Sequence, residues 1–150
     1  ELADVSGWNI ISTGGMMKEG YLAFLGSRTE EVIRSYFADT VIFSCKALDE
    51  KLGVMESQEA FGTAKKAMLD SGRKKILVVD NTKFDQTAFS VAGRLRDVDI
   101  VVTDAKPSEK WLKLFKEEGV RKLASEHPSE KVGADIRKLS DKGALNYENF

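Results

Sequence analysis

The stretch that most restricts the fold of this chain is Lys75-Ile76-Leu77-Val78-Val79-Asp80, an unbroken apolar run closed by charge at both ends. A strand with one wet face alternates apolar and polar residues. A continuous run of strand length instead predicts burial on both faces, as in a parallel sheet covered by helices. Ile100-Val101-Val102-Thr103-Asp104 repeats the pattern. Asn9-Ile10-Ile11-Ser12 reads as a shorter buried strand that stops at the turn Thr13-Gly14-Gly15, and Thr40–Ser44 as a β-branched and aromatic strand.

Segments of helical period lie between these runs. Ser27-Arg28-Thr29-Glu30 has capping-box spacing ahead of a stripe at Val32, Ile33, Tyr36 and Phe37. Ser57 is placed to cap a helix with the stripe Ala60, Phe61, Ala64, Ala67 and Met68, ending near Gly72. Pro107-Ser108 opens a third helix through Trp111, Leu112, Leu114 and Phe115, which Gly119 closes, with a weak strand at 120–123. Strand–helix alternation of this kind predicts an α/β domain, its mainly parallel sheet flanked by helices in three layers. Ligands of such sheets sit at the carboxyl ends of the strands, which here are Gly14–Gly15, Ser44–Lys46, Asp80–Lys83 and Asp104.

Composition narrows the function. The 150 residues fit one domain, and 23 basic against 24 acidic side chains give no cationic excess for nucleic acid or an anionic membrane. A single cysteine, Cys45, excludes an internal disulfide and a cysteine zinc cluster, and one histidine, His127, leaves no histidine pair for a metal. Neither a metal nor a cofactor is expected, and a reducing, cytoplasmic setting is. No apolar run approaches the roughly 20 residues of a membrane helix. The segment 124–150 is polar and reads as an exposed helix or a frayed tail. The chain begins at Glu1, as an excised fragment would.

Lys83 leads the candidate residues. It stands in Asp80-Asn81-Thr82-Lys83-Phe84, just past the strongest strand, where its ammonium can meet an anion while Asp80 and Thr82 shape the turn. The plainer reading is that Asp80 caps the turn and Lys83 is solvated. Gly14-Gly15 either brings backbone amides close to a ligand or makes a tight turn. Lys65 is read by default as solvated, and Glu56 and Glu59 as favouring a helix dipole. Cys45 is either a reactive thiol or a quiet buried one, and has no histidine near in sequence to activate it.

In this order the motifs resemble the C-terminal sensing domain of DeoR-family transcriptional regulators over roughly residues 1–123. Ile10 to Gly15 looks like the family's strand and Gly-Gly turn, and Leu25-Gly26 through Ser44 its next unit. Gly53-Val54-Met55-Glu56-Ser57, then Ala64-Lys65-Lys66-Ala67-Met68, resembles its Gly and acidic stretch with a K-R-x-M helix. Most specific is Val79 to Phe84, then Ala88-Phe89 and Val98 to Asp104, which resembles the run D-S-S-K-F…A-F…I-D-x-x-I-T-D. The resemblance implies a fold like ribose-5-phosphate isomerase and CoA transferases, and a homo-oligomeric repressor of a carbohydrate operon. It implies an effector site for a phosphorylated sugar, led by Lys83, with Lys65 and Ser44, Cys45 and Lys46 behind it and Gly14, Gly15, Glu56 and Asp80 around them. Contact with DNA falls to a helix-turn-helix domain outside this chain, as does the first part of the sensing domain. Asp85 stands where the family often has Gly, and Asn81-Thr82 where it has Ser-Ser.

Two rivals share the fold. An aldose–ketose isomerase needs a carboxylate base, yet where the isomerases' Asp-Gly-Ala-Asp-Glu stretch belongs the chain reads Cys45-Lys46-Ala47-Leu48-Asp49. A ligand-free interaction module would leave apolar patches on its surface.

Overall fold

The computed structural model describes residues 9–124. Trp8, His127 and the polar segment that follows Ala124 lie outside them. The expected parallel sheet is present as four strands, β3 (Ala38–Phe43), β6 (Gly72–Val79), β8 (Ile100–Thr103) and β9 (Arg121–Ala124), in the order β3-β6-β8-β9. Register aligns Phe43 with Leu77 and Leu77 with Val101 in one row, and Ile42 with Ile76 and Ile76 with Ile100 in the next. Alternation sends these rows to opposite faces. Val41, Phe43, Leu77, Val79 and Val101 enter the main core; Ile76, Ile100 and Val102, with Val78, form a second cluster. Both faces of the two apolar runs are therefore buried.

Helices α2 (Glu59–Asp70) and α3 (Glu109–Glu117) supply Leu69, Trp111 and Phe115 to the main core. Helix α1 (Ser27–Arg34) packs on α2. The three helices occur where the periodicity put them, but their caps differ. Gly26, Gln58 and Ser108 hold the N-cap positions without a side-chain cap bond, so the expected Ser27 and Ser57 caps are not formed. Tyr36 and Phe37 fall past the end of α1 and are exposed.

Two antiparallel units interrupt the α/β alternation. The short strands β4 (Ala47–Asp49), β5 (Gly53–Glu56) and β7 (Ser90–Gly93) form a separate sheet in that order. Gly53 makes its hairpin possible: φ is +89°, and a Cβ there would lie 2.5 Å from the Gly93 carbonyl oxygen. Asp49 accepts from the amides of Lys51 and Leu52, closing the same turn. The other unit is the hairpin of β1 (Met16–Lys18) and β2 (Ala23–Leu25). It corrects the expected strand at Asn9–Ser12, which is irregular, with Ile10 and Ile11 exposed. A strand needs a neighbour for its amides and carbonyls. Met16–Lys18 finds one across a turn, and the run before it does not.

Candidate functional site

The site forms where the chain crosses from one sheet to the other. Ser44, Cys45 and Lys46 connect β3 to β4, and Glu56 ends β5 beside them. The Lys46 amide donates to the Met55 carbonyl and to Glu56 Oε1, at 3.1 and 3.2 Å. Helix α2 starts directly after, and brings Lys65 back to pair with the buried Glu56 carboxylate. Phe61 precedes Lys65 by one helical turn and so shares its face. Its ring meets Tyr21 of the β1–β2 hairpin at 5.0 Å. These groups and Ser57 line a cavity of about 220 Å³.

Five of the residues expected from sequence, Ser44, Cys45, Lys46, Glu56 and Lys65, line this one cavity. Asp80 and Lys83 stand at the end of the neighbouring strand β6. There Asp80 accepts from the Thr82 amide and hydroxyl, and Lys83 Nζ lies 3.2 Å from Asp80 Oδ2. The Thr82 hydroxyl, then Lys83, holds the Asp80 carboxyl below the usual range. Neither Asp80 nor Lys83 lines the cavity. Gly14 and Gly15 pack against the first turn of α1: the Thr29 hydroxyl donates to the Gly14 carbonyl at 2.7 Å. Gly15 has φ +105°, and a Cβ there would meet Thr29 Oγ1 at 2.2 Å.

Tyr21, Ser57 and Phe61 join the site without being expected there. Phe61 belongs by period to the core stripe, although its spacing from Lys65 puts the two on one helix face. Ser57 has the position of a cap, and Tyr21 carries no local signal.

The chemistry is that of recognition. Glu56 spends lone pairs on Lys46 and Lys65, and a carboxylate has about four to offer. The remainder, with the Ser44 and Ser57 hydroxyls, suits a hydroxyl-rich ligand. Lys65 and Lys46 supply positive charge for an anion. Burial, ahead of the opposing pull of Lys65, pushes the Cys45 thiol up to about 12, which leaves it protonated and un-nucleophilic. Asp49 is committed to its hairpin turn. Among the described residues no group of side chains could hold a metal ion, and no helix is long and apolar enough to cross a membrane.

Residues 1–105 match the family described as the DeoR C terminal sensor domain. The chain belongs to the DeoR family. Among its curated relatives, the HTH-type transcriptional regulator YulB of Bacillus subtilis is 30% identical over 83% of this chain and 48% of its own length. The transcriptional repressor AccR of Agrobacterium fabrum is 31% identical over 70% of this chain and 41% of itself. The L-fucose operon activator of Haemophilus influenzae is 26% identical over 69% and 41%. The chain thus spans less than half the length of these relatives, which are regulators rather than enzymes and include both a repressor and an activator. The turn after Lys83 has a left-handed backbone at Asp85, φ +57°, although the residue is not Gly. The Asp85 carboxylate accepts from Lys110 Nζ at 2.7 Å and Trp111 Nε1 at 3.1 Å, so the departure gives the turn a tie to α3. Lys110, then Trp111, lowers the Asp85 carboxyl below its ordinary range.

Proposed function

We propose that this domain binds a phosphorylated sugar between its two sheets and reports the bound state to a helix-turn-helix domain of the same regulator. The observation that carries this reading is the convergence of Ser44, Lys46, Glu56 and Lys65 on one small cavity of a DeoR sensor domain. Its volume, about 220 Å³, lies below the roughly 300–1,000 Å³ of drug-sized pockets, which suits a ligand of monosaccharide size. Hydroxyls and a carboxylate match a polyol, the Tyr21 and Phe61 rings match its C–H face, and Lys65, Lys46 and Lys83 match its phosphate. The domain acts by differential affinity and not by catalysis: the ligand shifts the regulator by binding its DNA-competent and incompetent states unequally. The regulator is cytoplasmic, and a repressor of a carbohydrate operon by the commoner habit of the family.

The same reading includes self-association. Met16, Met17, Tyr21 and Leu22 are all more than half exposed on or beside one hairpin, and apolar patches of this kind mark interfaces.

A thermal-shift screen of the chain against sugar phosphates, with Lys65→Ala and Lys83→Ala alongside, tests the effector. Ligand at 100 times its Kd stabilises by about 2.7 kcal/mol, several degrees for a domain of this size. A shift for one compound, lost in either variant, is the expected result. No shift for any compound in folded protein would overturn the sensor reading.

A further inference from the structure

The effector cavity lies past the carboxyl end of strand β3, whereas the amino end of its neighbour β6 is built differently. Alternation along β6 puts Arg73, Lys75, Leu77 and Val79 on one face. Leu77 and Val79 are core, so toward the start of the strand the stripe changes from apolar to cationic. That end opens on a groove of about 840 Å³, to which α2 adds Lys66 and the segment after β7 adds Arg94 and Arg96. Five cations from three parts of the chain therefore line one groove, while the whole chain carries a net charge of -1.

They are only partly neutralised. Arg73 shares an exposed contact of 3.5 Å with Asp39, and the Arg94 guanidinium donates to the Lys51 carbonyl at 3.0 Å. Asp70 and Asp97 also line the groove, the Asp97 carboxylate accepting from the Arg94 amide at 2.7 Å, so five cations face two carboxylates there. Among the described residues, the charged groups of Lys66, Lys75 and Arg96 form no ion pair. Like charges gathered in a concave surface repel one another, and a bound anion removes that cost.

We infer that this groove is a second ligand site, for a small molecule carrying two or more linked phosphate groups. Guanidinium forks and ammonium groups are the side chains suited to phosphate oxygens. The cations come from a strand, a helix and a loop, so linked phosphates can meet more of them at once than a single phosphate can. Phe37, 67% exposed, presents a ring at the edge of the groove, where a base could stack. Asp70 in the lining and Asp39 beside Arg73 interrupt the positive surface, which opposes a long polyanion such as duplex DNA. The groove shares no lining residue with the effector cavity, although Lys65 and Lys66, neighbours on α2, line one each.

Calorimetric titration of the whole chain with inorganic triphosphate and with ATP tests the inference. One-site binding is expected, weakened about tenfold or more in a Lys66→Ala/Arg96→Ala double variant and weakened by added salt. Both substitutions are at exposed positions, and circular dichroism checks that the variant is folded. Lys65→Ala and Lys83→Ala should bind as the parent does, which separates this site from the effector reading. ATP binding tighter than triphosphate assigns the Phe37 ring a role, and equal affinity leaves the phosphates as the recognised part. Three results would overturn the inference: no heat with either compound, binding lost in Lys65→Ala instead, or a short DNA duplex that outcompetes triphosphate.

Discussion

Burial pushes the Cys45 thiol up to about 12, with Lys65 pulling the other way and Glu56 adding to the rise. The ordinary value for a cysteine thiol is 9.0. The folded state therefore holds its proton more tightly than the unfolded chain does. Stability from this group is fully present below pH 9.0 and is lost as pH climbs toward 12, at up to about 1.4 kcal/mol per pH unit. Urea unfolding at pH 8 and pH 10 should show this alkaline loss, and Cys45→Ala should lose less over the same interval. An identical loss in Cys45→Ala would assign the effect to other groups. The same burial keeps Cys45 slow toward thiol reagents until the chain unfolds. Of the two sequence readings of Cys45, reactive thiol or quiet buried one, its depth supports the second.

Helix α3 is the element that holds the Lys83 turn. Phe84, next to Lys83, meets Trp111 edge-on at 5.1 Å and Phe115 at 6.3 Å, and Trp111 also donates to Asp85. Phe84 bridges to Leu48, and the Gln86 amide donates to the Leu48 carbonyl, so the turn is fastened to β4 as well. Trp111 is 1% exposed. Trp111→Ala should cost about 3–5 kcal/mol in a urea titration, and Trp111→Phe clearly less, because it keeps the packing and loses only the donor. Equal losses in the two variants would mean that the indole N–H, and not the aromatic packing, anchors the turn. The turn that was most specific in sequence is thus positioned by a helix 24 or more residues away in the chain.

At the scale of the molecule, two sheets and one hairpin meet around the site, and the hairpin leaves apolar surface outward. Leu22 is 88% and Met16 75% exposed. If this surface joins copies of the chain, sedimentation at increasing concentration should show assembly that Leu22→Lys weakens. A monomer at every concentration would remove self-association from the proposed function. The effector cavity and the cationic groove share no lining residue, so substitutions can address each one separately.

The sequence alone determined the parallel sheet, because unbroken runs such as Ile76–Val79 and Ile100–Val102 have no wet face to offer. It also determined the three helices, whose stripes need one covered side, and the residue types gathered at the strand ends. Only the tertiary structure decided the rest. Short segments such as Ala47–Asp49 and Gly53–Glu56 hold too few residues to show a period, and become strands through partners distant in sequence. Asn9–Ser12 has strand composition but no neighbour to pair with. Lys65 and Glu56 each read as surface or helix-end charge in the linear chain. They form a site because β5 ends beside Lys46 and α2 returns across it, a juxtaposition that local pattern does not encode.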